Sequence, residues 1–338
     1  MITNLGLYSH PCRAGILLCS ALFLMACGTV ANSNSYKADI IPENFSGNRH
    51  MNIRLQGSLA ISSARVNGLP IVELSDLAWD ADAKKLYAVS DNGYLYTIKL
   101  VTHKNRLIRA DVIKAVRLKG ADKKPLRGHF KDSEGLTIRN ARNNNPNDAE
   151  LIISFEGNSR AERYSTAGNY LGKLPLPKKL ENRHNYRHAN KSLESIILHP
   201  RHGALVASEL PLKASPKHIQ SIYSQHGKVW HFPRLNAAES SITALEILNN
   251  GDVLVLERAF SGIFSPLVIG LRQVQLNKCN KQNHCAVRDL AIFNSHQGWD
   301  IDNFEGLAHL QGNQYLMVSD DNKSPIQRTL MVMFEVLP

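Results

Sequence analysis

Nowhere in this sequence do apolar residues recur every 3.6 positions over a long stretch. That absence argues against an α/β enzyme built around a nucleotide-binding crossover. Several catalytic signatures are missing too. No G-x-S-x-G elbow occurs, and "GNSRA" around Ser159 is only a partial look-alike. A serine esterase needs an activated hydroxyl, which nothing here supplies. The 14 histidines include no H-E-x-x-H pair. His184 and His188 in "HNYRH" are four apart, but their Asn and Arg neighbours mark a loop rather than a zinc-binding helix. No nucleic-acid recognition motif is present, which argues against nucleic acid as a partner.

Cysteine is scarce, with five in 338 residues. Cys12 and Cys19 fall within residues 1–26, where Arg13 and the apolar "AGILLCSALFLMA" have signal-peptide proportions. The stretch ends in "LMAC", which resembles a bacterial lipobox. That resemblance implies cleavage before Cys27, lipidation of its thiol and attachment to a membrane through the lipid; a plain signal peptide is the alternative. Gly28 rather than Asp after the cysteine fits an outer-membrane destination facing the periplasm. Residues 27–50 read as a polar tether. The remaining pair, Cys279 and Cys285 in "CNKQNHC", is expected to form a local disulfide in an oxidising compartment. A metal held by Cys279, His284 and Cys285 is the weaker alternative.

Acids are outnumbered, 29 against 40 Lys and Arg, for a formal charge of +11. The excess is concentrated between Lys99 and Lys131 and between Lys173 and Lys191. Lysine-rich strand edges kept soluble would account for it. Attraction to a phosphorylated or other anionic small molecule, or to a polyanion, is the functional reading.

The few acids are placed periodically. Five segments share one plan of acid, apolar strand, turn, apolar strand and acid: "SDLAWDADAKKLYAVSDNG", "DSEGLTIRNARNNNPNDAELIISFEGN", "SLESIILHPRHGALVASE", "ITALEILNNGDVLVLER" and "DNFEGLAHLQGNQYLMVSDDN". The leading acids are Asp76, Glu134, Glu194, Glu246 and Glu305, spaced by 58, 60, 52 and 59 residues. The closing acids are Asp91, Glu156, Glu209, Glu257 and Asp320. Runs of four to six Leu, Ile and Val around turn residues are hairpin signals. A repeat of this length with about four strands predicts an all-β fold, a β-propeller of four-stranded antiparallel blades over residues 51–338. Five blades fit best and six is the alternative. "TLMVMFEVLP" lacks a fourth strand, which "NIRLQGSLAIS" near the N-terminus would supply, closing the ring.

The start of one strand of a hairpin and the end of the next lie at the same end. All ten acids are therefore expected around one mouth of the central channel. Two readings follow. Each carboxylate caps a turn by accepting backbone N–H bonds, or the ring gathers a hard, oxygen-liganded cation, Ca²⁺ above all.

"SDLAWDADAKKLYAVSDNG", "DSEGLTI", "SLESIILHP", "ALEILNNGDVLVLER" and "DNFEGLAHLQGNQYLMVSDDN" resemble, in the same order, the motifs of the phytase-like propeller family, known for esterase-like activity of phytase. The resemblance runs from about residue 50 to the C-terminus, and its "DNFEGLA…SDDN" end is the most specific piece. It implies a metal-dependent phosphoester or ester hydrolase. Glu134, Glu156, Glu194, Glu209, Glu257, Glu305 and Asp320 match the family's acid positions, as does Asn322, whereas Asp321 stands where Asn is common. As a hydrolase, Ca²⁺ at the rim would polarise a phosphoryl oxygen. Glu134 or Glu305 would take a water's proton. Arg160, Lys191 and Arg258 would meet phosphate oxygens or, alternatively, pair with the rim acids. The competing function is a non-catalytic binding platform in the cell envelope.

Overall fold

Each repeat folds as the inner half of a four-stranded antiparallel sheet in the computed structural model, which describes residues 1–2, 33–188, 190–262 and 264–338. Blade 1 comprises Leu74–Asp80, Lys85–Ser90, Tyr94–His103 and Arg106–Arg117. Blade 2 comprises Ser133–Arg139, Glu150–Phe155, Arg160–Ser165 and Tyr170–Leu174. Blade 3 is built from Leu193–His199, Gly203–Ser208, Ile219–Ser224 and Val229–Pro233, and blade 4 from Ser240–Ile247, Val253–Ala259, Val268–Cys279 and Cys285–Asn294. Blade 5 takes Asn303–Gln311, Gln314–Asp320 and Thr329–Val336 from the C-terminal end. Its outer strand is Ile53–Ile61, paired from Thr329↔Ile61 to Val336↔Ile53. The expected five-bladed propeller closed by its two ends is thus the fold. Closure covers the edge that Thr329–Val336 would otherwise leave open to association.

Five apolar clusters lie between successive blades. The "VLVL" of blade 4 is unbroken because both of its faces are buried. Val253 and Val255 pack toward blade 3, while Leu254 and Leu256 pack toward blade 5. Such sandwiching replaces the alternating pattern of a half-exposed strand with a continuous apolar run.

Part of the segment expected as a tether lies against the propeller. Ser35–Lys37 pairs with Leu59–Ile61, Ile40 is buried, and Phe45 packs on Trp299 at 5.3 Å between ring centroids. Ile40 and Phe45 add apolar burial to that strand pairing. The signal peptide and Cys27 lie outside the described residues.

A carboxylate-lined mouth as the candidate site

The innermost strand of every blade slips register near its start. The breaks fall between Leu74 and Asp76, Ser133 and Leu136, Leu193 and Ser195, Ile242 and Ala244, and Phe304 and Gly306. Ser75, Glu134, Glu194, Thr243 and Glu305 occupy the bulges, with Gly135 sharing the one in blade 2. A bulge leaves its residue unpaired and re-aims the side chain. In three blades that side chain is a glutamate. The glycine after two of them answers a steric demand: a Cβ on Gly135 would lie 2.7 Å from Ser195 Cα, and one on Gly306 would lie 2.7 Å from Asp76 Cα.

The strand that follows ends beside the bulge and adds the closing acids. Asn303 pairs with Asp320 across blade 5, so Glu305 and Asp320 stand at the same end. Asp132, Glu134 and Glu156 each offer a carboxylate oxygen within 4.8 Å of the others, and so do Glu156, Glu194 and Glu209. Positive charge enters from two side chains. Lys191 Nζ lies 2.6 Å from Glu209 Oε1. Arg258 reaches Glu209 Oε1 at 3.5 Å and Glu305 Oε1 at 3.9 Å, and also donates to Asn303 Oδ1. Glu156 accepts the Ser192 N–H at 2.8 Å, and Glu305 accepts from the Asn303 amide at 2.7 Å. Among the described residues, Glu134 and Glu194 have no hydrogen-bond partner; desolvation and like charges dominate their surroundings.

Burial first, then the neighbouring carboxylates, push Glu134 and Glu194 well above the usual range. Burial likewise pushes Glu156 and Glu305 up to about 8, against the Ser192 N–H and the Arg258 guanidinium respectively. Asp320 rises to about 9, through burial and then the charge of Glu305. Asp91 rises to about 6 for the same leading reason, although the Ser75 hydroxyl opposes it. These carboxyls are recessed yet reachable, since Glu134, Glu305 and Asp91 remain partly exposed. Without a partner cation the mouth would hold protons at neutral pH.

Not every expected acid reaches the mouth. Glu257 is fully buried elsewhere, 2.6 Å from Arg272 Nη1 and accepting the Leu235 N–H at 2.7 Å. The next residue, Arg258, faces the mouth instead, because successive strand side chains point to opposite sides. Asp76 stands one residue past its bulge and caps backbone, accepting from Leu136 at 2.7 Å and Leu307 at 2.9 Å. Glu246 stands three past Thr243 and accepts the N–H groups of Ile247 and His309. Asp321 and Asp302 also cap turns, through Lys323 N and Arg328 N. Arg160 pairs with Glu162 at 2.9 Å and lies over the Phe155 ring. Asp132 was the acid missed in the mouth. Its signal was available, two positions before Glu134 at the head of the same strand. Cys279 and Cys285 are joined as a disulfide.

A five-bladed propeller whose mouth is ringed with carboxylates defines the class. Residues 70–323 match the family described as "Phytase-like: Esterase-like activity of phytase", and the chain belongs to that family. No curated protein matches it. Among solved structures it is similar to the PQQ-bound aldose sugar dehydrogenase of Streptomyces coelicolor, at 9% identity and a TM-score of 0.44, over 84% of this chain and 98% of that one. It is also similar to the C-terminal WD40 domain of Sif2, at 13% identity and a TM-score of 0.38, over 85% of this chain and 78% of that one. Both scores fall below one half, so the fold rests on this chain's own strand pairing.

Proposed function

We propose that the mouth is a divalent-cation site, for Ca²⁺ in particular, and that the protein hydrolyses an anionic phosphoester there. The observation that carries this is the pair of glutamates, Glu134 and Glu194, aimed by bulges into a crowd of carboxylates with no donor of their own. An all-oxygen donor set suits a hard cation. Two overlapping groups are close enough to hold it, Asp132 with Glu134 and Glu156, and Glu156 with Glu194 and Glu209, with Glu305 and Asp320 adding negative charge beside them; Glu257, tied to Arg272, would not. A bound cation supplies Lewis-acid polarisation of a phosphoryl oxygen. Glu305, raised toward neutrality and partly open to solvent, is suited to take a proton from an attacking water. Lys191 and Arg258 would orient the substrate's remaining oxygens. A panel of phosphoesters and carboxylesters, with Ca²⁺ and with chelator, tests the reading. Turnover that needs Ca²⁺ and is lost in Glu305→Gln supports it; no turnover under any condition refutes it.

One observation favours the competing platform function. Lys191 already pairs with Glu209, and Arg160 with Glu162, which leaves these cations engaged without a substrate. Export and lipid anchoring at Cys27 in the outer membrane belong to the same proposal. They rest on the signal-peptide proportions of residues 1–26, the "LMAC" stretch and Gly28.

A further inference from the structure

The loops at the mouth end differ in kind from those at the far end. Strand direction places the segments after each second strand, and those leading into each innermost strand, at the mouth. Four of the exposed large apolar side chains sit on these segments. Phe264 is 97% exposed and Ile326 is 87% exposed, and Phe260 and Phe130 are also exposed. The turns at the opposite end carry one exposed large apolar side chain among the described residues, Met51, at 44% exposure. Water-exposed Phe and Ile on neighbouring loop tips are costly unless something covers them. Basic side chains accompany them. Lys123, Lys124 and Arg127 are exposed on the segment leading to Phe130, and Lys323, three residues before Ile326, is exposed but paired with Glu73. The site carboxylates are recessed; Asp122, Glu181, Glu239 and Asp300 are exposed on the same segments but are outnumbered there by exposed Lys and Arg.

We propose that the mouth end docks on an anionic phospholipid surface, with Phe264 and Ile326 entering the headgroup boundary and the lysines meeting lipid phosphates. Apolar tips mixed with basic residues are the chemistry of interfacial attachment. A protein partner would be expected to offer a shaped apolar receptor, whereas apolar tips on three separate segments suit a fluid, planar one. This docking is independent of the cation and of any hydrolysis.

The test uses the full chain, with a tryptophan reporter at Phe264 (F264W) and a control reporter on the side of blade 1 (I108W). Vesicles contain phosphatidylglycerol or phosphatidylcholine alone, with and without brominated acyl chains. On phosphatidylglycerol, the reporter at 264 should shift to the blue and be quenched by bromine, while the reporter at 108 should do neither. Position-specific quenching separates docking from partition of the N-terminal apolar segment. Substituting Lys123→Gln and Lys124→Gln should weaken partition, by roughly fivefold for each charge removed. Phe264→Ser with Ile326→Ser should abolish the quench-competent state at unchanged melting temperature. An unquenched reporter at 264 on phosphatidylglycerol, quenching at 108 instead, or equal partition onto phosphatidylcholine would each overturn the proposal.

Discussion

Replacing Glu156 with Gln in chelator should leave the protein more stable at high pH, which is unusual for a buried hydrogen-bonded side chain. Burial and like charge lift this carboxyl from 4.5 to about 8. The folded mouth therefore binds a proton more tightly than the unfolded chain does. That contribution is fully present below about pH 4.5 and is lost as pH rises through about 8. A carboxyl moved over this interval corresponds to about 5 kcal/mol. Rearrangement of Glu209 and Asp132 around it reduces the expected gain to about 2–4 kcal/mol at pH 9. At pH 5 the amide and the protonated acid are nearly equivalent, so the variant should match wild type within about 1 kcal/mol. Urea unfolding at pH 5, 7 and 9, with chelator and with millimolar Ca²⁺, reads the difference. In Ca²⁺ the sign should reverse, because the charged form gains a ligand. Equal losses of stability in the variant at every pH, with or without Ca²⁺, would refute the electrostatic account.

Three further outcomes follow. Gly306→Ala should cost about 1–3 kcal/mol by thermal unfolding, because its Cβ would press on Asp76 Cα at 2.7 Å in the wall of the channel. Arg272→Ala should cost about 3–5 kcal/mol by stranding the buried Glu257 charge, and adding Glu257→Gln should recover part of it. Cys27→Ser should release the protein from the membrane fraction or block its processing; an unchanged membrane fraction and mature size would remove the lipid anchor from the account.

The periodicity of the apolar hairpins was legible, since blades need strands of similar length and turns at regular intervals. Ring closure was legible for a related reason: "TLMVMFEVLP" is too apolar to be an edge and "NIRLQGSLAIS" is the strand left over. What the spacing of acids could not reveal was the bulge. It shifts one residue out of the ladder, so Asp76 and Glu246 fit the repeat in number yet point at backbone N–H groups. Glu257 misled for a simpler reason. Alternation sends adjacent strand residues to opposite faces, and sequence alone does not say whether Glu257 or Arg258 faces the channel. Asp76 and Glu246 fit neither turn capping nor cation binding, since they accept N–H groups within strands of their own and neighbouring blades, whereas Glu134 and Glu194 accept from nothing among the described residues.

The cation itself is the most direct test. Calorimetric titration of Ca²⁺ into metal-stripped protein should give saturable binding for wild type. Binding should be weakened at least tenfold by Glu134→Gln or Glu305→Gln and left unchanged by Asp148→Asn in a turn at the far end. At a hundredfold excess over the dissociation constant, such binding stabilises the folded state by about 2.7 kcal/mol, a melting shift of several degrees. Heats no different from dilution, with no change in melting temperature, would contradict the account and leave the mouth a ring of protonated acids.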